Sequence, residues 1–144
     1  AMHRWWTGDD MTRFESAAEP LVSQFSSYRP FSDASVDGKL TRTENVADLG
    51  GLLAAFDAYR HTLGRRAFDK EYVRQRDREF FVAFAQSWRT KTSDAGMRAQ
   101  LAGDHAPEMY RVATVRNLDA WYDAFDVRPG QALYVEPNAR VRIW

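Results

Sequence analysis

Apolar side chains recur at Met11, Phe14, Ala18, Leu21, Phe25 and Tyr28, three or four positions apart, with polar residues between them. That spacing predicts an amphipathic helix from Thr7 to about Tyr28. Thr7 suits its cap, and Asp9 and Asp10 complement the positive end of the helix dipole. Pro20 falls inside the pattern, so a kink or break is expected just before it. Between Arg29 and Leu40 the residues Pro30, Ser32, Asp33, Ser35, Asp37 and Gly38 are loop formers.

A second helix is predicted from near Thr43, its cap, to about Leu63, with Leu52, Phe56 and Tyr59 on one face and Gly64 closing it. Gly50-Gly51 interrupts its interior at about 1 kcal/mol per glycine relative to alanine. Such a cost predicts close packing of another backbone or a ligand against that turn. The stripe Phe80, Phe81, Phe84, Ala85 and Trp88 predicts a third helix over about Glu71 to Lys91. A short helix should follow Ser93 and end near Gly103. Another, from Asn117 to Phe125, should bury Leu118, Trp121, Tyr122 and Phe125. Pro129-Gly130 reads as a turn, and Tyr134 to Trp144 as an irregular or extended tail. The pattern is that of a mainly α fold.

Composition narrows the chemistry. A chain of 144 residues suits one domain with a real core, and 44% hydrophobic residues against 8 Gly and 5 Pro rule out disorder and low complexity. The absence of cysteine excludes a disulfide scaffold, a thiolate metal site and a cysteine nucleophile. Lys and Arg balance Asp and Glu at 20 each, which argues against nucleic acid as a partner, because phosphate binding needs a cationic surplus. The longest uninterrupted apolar run, Phe80 to Ala85, is far short of the roughly 20 residues that span a bilayer. Ala1 to Trp6 carries no long apolar stretch of the signal-peptide kind. The three histidines, His3, His61 and His105, include no pair four apart, so no helical His pair exists to start a zinc site.

Two strings carry candidate chemistry. In Glu44-Asn45-Val46-Ala47-Asp48-Leu49-Gly50-Gly51, Glu44 and Asp48 are i and i+4 and leave one helix face in adjacent turns, where like charges repel. A cation nearby turns that repulsion into attraction, with Glu44 as a ligand and Asp48 orienting a neighbouring one. The ordinary alternative is a solvated acidic face near a helix N-terminus, and spacing alone favours it. In His105-Ala106-Pro107-Glu108-Met109-Tyr110-Arg111, a histidine beside a rigid turn and an arginine beyond it suit oxyanion stabilisation and a carboxylate clamp. A loop histidine and a structural arginine are the plainer reading. His61 has no ligand-type neighbour. Arg65, Arg66, Arg74, Arg76 and Arg78 are interleaved with Asp69, Glu71, Asp77 and Glu79, the pattern of a solvated ion-pair face.

Taken in order along nearly the whole chain, these strings resemble the C-terminal part of the neprilysin-like zinc endopeptidases, the family of neprilysin, endothelin-converting enzyme and the bacterial PepO-type oligopeptidases. The resemblance runs through Trp5-Trp6, Gly38-Lys39-Leu40-Thr41, the Glu44–Gly51 string, Phe80-Phe81 and Ala85-Gln86-Ser87-Trp88. It continues through His105-Ala106-Pro107, Arg111-Val112 and Arg140-Val141-Arg142-Ile143-Trp144. It implies the helical C-terminal portion of a thermolysin-like catalytic domain. Glu44 matches the third zinc ligand of a two-His, one-Glu site, and Asp48 the carboxylate that orients a zinc-bound histidine. His105 matches the residue that stabilises the oxyanion of the tetrahedral intermediate. Arg111 matches the arginine that binds the substrate backbone carbonyl. Trp88 matches the lining of the pocket for a large hydrophobic side chain after the scissile bond.

Departures sharpen the expectation. The family usually has Asp-x-His-Ser-Pro, whereas here Asp104 directly precedes His105 and Ala106 replaces the serine; Ser87 stands where an aliphatic residue is common. The family's H-E-x-x-H helix lies upstream of the Glu44 counterpart, and the residues before Glu44 contain only His3 and no such motif. The expectation is therefore that residues 1–144 are a fragment of a peptidase catalytic domain, acting with the missing N-terminal part on peptide substrates. The fragment alone is expected to be inactive and not to hold the zinc ion of the intact enzyme. The resemblance implies an extracytoplasmic parent, and the lack of cysteine fits the bacterial branch. The competing expectation is a non-catalytic helical interaction module or degenerate relative. Either way the face cut from the missing half favours self-association into a homo-oligomer.

Overall fold

The computed structural model describes residues 6–143, so Trp5, His3 and Trp144 lie outside the described residues. The described residues form six α-helices and three short 3₁₀ turns, with no strand beyond one isolated bridge between Phe31 and Ala34. The mainly α expectation holds.

Helix α1 spans Gly8–Ser26. Thr7 Oγ1 accepts the Asp10 amide at 3.1 Å, while Asp10 Oδ2 accepts the Thr7 amide at 3.0 Å. This reciprocal capping box satisfies two otherwise orphaned donors. The Thr7 hydroxyl, donating to Asp10 Oδ2 at 2.6 Å, and then the Thr7 amide hold the Asp10 carboxyl below the usual carboxylate range. Pro20 lies inside this helix, so of the expected kink or break the break does not occur. It lies on the exposed side, where water can satisfy the carbonyl of Ser16 that it leaves unpaired. On the opposite side Ala18, Leu21, Val22 and Phe25 are buried and hold the helix against the core.

Helix α2, Arg42–His61, starts one residue before Thr43, and Thr41 takes the cap position. The Thr41 hydroxyl donates to the Asp37 carbonyl at 2.9 Å and accepts from Asn45 Nδ2 at 2.8 Å. Thr62 forms the C-cap; Gly64, two residues on, takes φ +54° and opens the 3₁₀ turn Gly64–Phe68. Helix α3, Lys70–Ser87, ends before Lys91 and is capped by Asp69, which accepts the Tyr72 amide at 3.1 Å. Helix α4, Asp94–Gln100, is capped by Ser93 and stops short of Gly103. Helix α5, Glu108–Val112, runs into the 3₁₀ turn Ala113–Asn117, and the spacing predicted neither. Helix α6 is Asp119–Phe125 rather than starting at Asn117.

The core gathers Leu21 and Phe25 from α1, Leu49 and Leu52 from α2, Phe81 from α3, and Ala106, Val115, Leu118 and Ala124 from the second half. Of the predicted α3 stripe only Phe81 is fully buried, whereas Phe80, Phe84, Ala85 and Trp88 are half-buried. In α6, Leu118 and Tyr122 are buried as expected, Trp121 is half-buried, and Phe125 is 38% exposed. Phe125 closes a two-turn helix just before Asp126 turns left-handed at φ +54°, so its ring sits at the rim. The described part of the tail, residues 134–143, forms no strand and carries the 3₁₀ turn Pro137–Ala139. Asn117 Oδ1 fastens it by accepting the buried Val141 amide at 3.0 Å.

The expected close approach at Gly50-Gly51 is absent at Gly51: a Cβ built there meets nothing within 4 Å. Gly51 instead opens onto a groove between α2 and α3 lined by Ala47, Leu52, Ala55, Phe80 and Ala83. The close approach falls at Gly38, where a Cβ would lie 2.1 Å from the Val22 carbonyl oxygen.

Candidate functional site

The first two turns of α2 carry Glu44 and Asp48. Between them in sequence, Asn45 is buried and its amide donates to Thr41, which fixes the helix start. The two carboxylates do not form a plain solvated face. Asp48 is only 15% exposed and is gripped by Arg111, with Nε to Oδ2 and Nη2 to Oδ1 both at 2.7 Å. Hydrogen bonding to Asp48 raises the Arg111 pKa. Glu44 Oε2 lies 3.0 Å from His105 Nε2. The repulsion read from the i,i+4 spacing is thus offset by two cation-capable groups more than 60 residues away in sequence.

His105 sits in the loop between α4 and α5, just before the rigid Pro107. Its Nδ1 is 2.8 Å from Asp104 Oδ1, so the aspartate moved next to it in sequence still reaches the ring. The hydrogen bond with His105 holds the Asp104 carboxyl below its usual range. A ring with both nitrogens on carboxylates is fixed in orientation, and it donates to both only as imidazolium.

Trp88 forms the C-cap of α3, and the Arg111 guanidinium carbon stands 4.1 Å from its ring centroid. The guanidinium therefore rests on an aromatic face and is forked by a carboxylate, two constraints that orient it. Trp88, Gln100, Asp104, His105, Glu108 and Arg111 line one cleft of about 260 Å³. Of the five residues singled out from the sequence, Trp88, His105 and Arg111 line this cleft, and Glu44 and Asp48 are joined to it through their contacts with His105 and Arg111. Sequence reasoning missed Gln100 and Glu108, whose side chains meet at 2.9 and 3.1 Å. The one available signal was the i,i+3 spacing of Glu108 and Arg111.

The other candidates stay apart from the cleft. His61 is exposed and lies 3.6 Å from Asp57. In the basic run, Arg76 pairs with Glu79, and Arg74 and Arg78 donate to the Ala124 carbonyl near the end of α6. Asp77 is bound by Arg60 through Nε at 2.6 Å, an ion pair that ties α2 to α3.

Catalytic zinc takes three protein ligands and keeps one open position. Among the described residues no group of three or more His, Cys, Asp or Glu side chains converges to hold a metal ion. The described residues therefore do not fit zinc as a complete centre, and Glu44 offers at most one donor to it.

A family model described as peptidase family M13 matches residues 1–141. The chain belongs to peptidase family M13. Within this neprilysin-like metallopeptidase family, Neprilysin-3 of Drosophila melanogaster is 32% identical over 149 aligned positions, covering 99% of this chain and 19% of that protein. The neutral endopeptidase of Lactobacillus helveticus is 31% identical, covering 99% of this chain and 21% of that protein. The zinc metalloprotease Zmp1 of Mycobacterium tuberculosis, in its open state, superposes with a TM-score of 0.82 at 37% identity, covering 99% of this chain and 23% of that one. The chain thus spans about a fifth of the length of the M13 relatives it matches. Its helical fold is that of the corresponding part of Zmp1.

Proposed function

We propose that this chain is the C-terminal part of the catalytic domain of a zinc endopeptidase that cleaves oligopeptides, on the amino side of hydrophobic residues. The observation that carries the reading is a cleft lined by His105, Arg111 and the Trp88 ring, whose His105 meets Glu44 and whose Arg111 is forked by Asp48. Membership of peptidase family M13 supports the class of reaction.

Each residue has a role its surroundings favour. Glu44 supplies one carboxylate ligand, with the remaining ligands and the general base coming from sequence outside this chain. When bound, zinc polarises the scissile carbonyl as a Lewis acid. Asp48 acts by orientation: it fixes the Arg111 fork and presents a carboxylate to a neighbouring metal-bound histidine. Arg111 uses Nε and Nη2 on Asp48, which leaves Nη1 to bind a substrate backbone carbonyl. His105, steadied through Nδ1 by Asp104, exchanges Glu44 for the oxyanion and donates from Nε2 as charge develops there. The half-buried Trp88 ring lines the pocket that receives a large apolar side chain. We further propose that the parent acts outside the cytoplasm; among the described residues no helix is long and apolar enough to cross a membrane.

The isolated chain is inactive on this reading, because one carboxylate cannot hold catalytic zinc tightly. The apolar groove at Gly51 supports self-association of the isolated chain, with the missing N-terminal part as its partner in the intact enzyme. The test compares the 144-residue chain with the full-length protein in a peptide-cleavage assay with and without chelator, alongside zinc titration calorimetry. Chelator-sensitive cleavage by the full-length protein alone is expected. Stoichiometric zinc uptake or turnover by the chain alone would overturn the division of labour. A full-length protein that cleaves no peptide would leave a non-catalytic helical interaction module as the better reading.

A further inference from the structure

Asp104 and Glu108 line the cleft, and Glu44 and Asp48 touch its lining residues His105 and Arg111; three of these four carboxylates already face a group that is or can become a cation. Asp48 is forked by Arg111, while Glu44 and Asp104 lie against the two nitrogens of His105. Glu108 differs. Among the described residues its contact is Gln100 Nε2, a neutral amide, at 2.9 Å from Oε1 and 3.1 Å from Oε2. Arg111 is near enough to feel the charge of Glu108, but its fork is closed on Asp48. Glu108 is half-buried, so water only partly solvates the uncompensated charge. Beside it, Gln100 Oε1 is buried with no donor. One end of the cleft therefore presents a carboxylate that hydrogen-bonds a neutral amide and, among the described residues, forms no ion pair.

We propose that Glu108, held in place by Gln100, is a specificity-determining residue that gives this cleft a preference for peptides carrying a basic side chain, arginine above all. The proposal rests on the peptidase reading and deepens it by naming a substrate class. A guanidinium supplies several donors in one plane, enough to meet both Glu108 oxygens. Trp88 does not oppose this preference, because Arg111 already covers part of the aromatic face an apolar side chain would use. A hydrophobic residue after the scissile bond and a basic residue at a neighbouring position are compatible within a cleft of about 260 Å³ that is open at its rim.

The test uses the full-length protein and peptides that differ at one position at a time, with arginine or norleucine from three residues before to three residues after the scissile bond. The expected result is one position at which arginine gives the higher kcat/KM, with that arginine-to-norleucine ratio falling about tenfold in Glu108→Gln and largely restored in Glu108→Asp. Wild-type protein alone gives a second reading: the ratio must shrink as salt rises, since the attraction is between charges near the surface. A ratio unchanged in Glu108→Gln, or norleucine preferred at every position, would overturn the inference and leave the peptidase reading standing. No cleavage of any peptide would instead overturn the peptidase reading, and this inference with it.

Discussion

The Asp48–Arg111 fork joins α2 to α5 and should be the strongest polar tie in the cleft. Removing Asp48 leaves a guanidinium that is only 17% exposed without its counter-charge. Two unit charges about 4 Å apart attract by about 4 kcal/mol at an effective dielectric of about 20. Desolvation of both groups takes back part of that, which leaves a net coupling of about 2 kcal/mol. Asp48→Ala is expected to cost more than the coupling, about 3 kcal/mol, because Arg111 remains behind unpaired. Urea denaturation followed by circular dichroism at 222 nm on wild type, Asp48→Ala, Arg111→Ala and the double variant closes the cycle and isolates the pair. Arg111→Lys should recover less than half of the coupling, since an ammonium cannot form the two parallel bonds. A coupling below about 0.5 kcal/mol, the range of exposed ion pairs, would refute the view that this fork positions Arg111.

Two further predictions concern the fold that carries the cleft. Gly38→Ala forces a methyl into the Val22 carbonyl and should cost about 1–3 kcal/mol, whereas Gly51→Ala places a methyl in open space inside a helix and should add about 0.5–1 kcal/mol; thermal melts of the two variants must move in opposite directions. Burial pushes the Asp77 carboxyl up from its ordinary 3.8, against the opposing pull of Arg60. A carboxyl raised in the folded state contributes stability that is present below its unfolded pKa and lost as pH rises through the folded value. The stability of wild type relative to Asp77→Asn should therefore fall as pH rises from 3.8, and a difference that stays flat or rises over that interval would contradict the assignment.

Much of the fold was legible because helices announce themselves locally. The three-to-four spacing in α1, the threonine and aspartates at its start, Ser93 before α4 and Pro129-Gly130 all act through neighbours in sequence. The misreadings share the opposite cause. Pro20 implies a kink or a break in α1, but whether the helix breaks depends on which side of it meets water. Gly50-Gly51 implies close packing of a backbone or a ligand, yet Gly51 faces an open groove, and the close backbone approach belongs to Gly38 in the loop before α2. Helix α5 was invisible because five residues are too few to show a period.

The same division runs through the cleft. Residue types and their order carry the family: the Glu44–Gly51 string, His105 before Pro107, and Arg111-Val112. The sequence by itself determined that Glu44 and Asp48 share a helix face, because helical geometry fixes i and i+4. Only the tertiary structure decided which cation answers which carboxylate. Packing α5 and the loop before it against α2 set Arg111 on Asp48 and His105 on Glu44, and left Glu108 with a neutral partner. Those pairings depend on distances across more than 60 residues of chain, and electrostatic interactions depend on distance and burial, neither of which a linear spacing encodes.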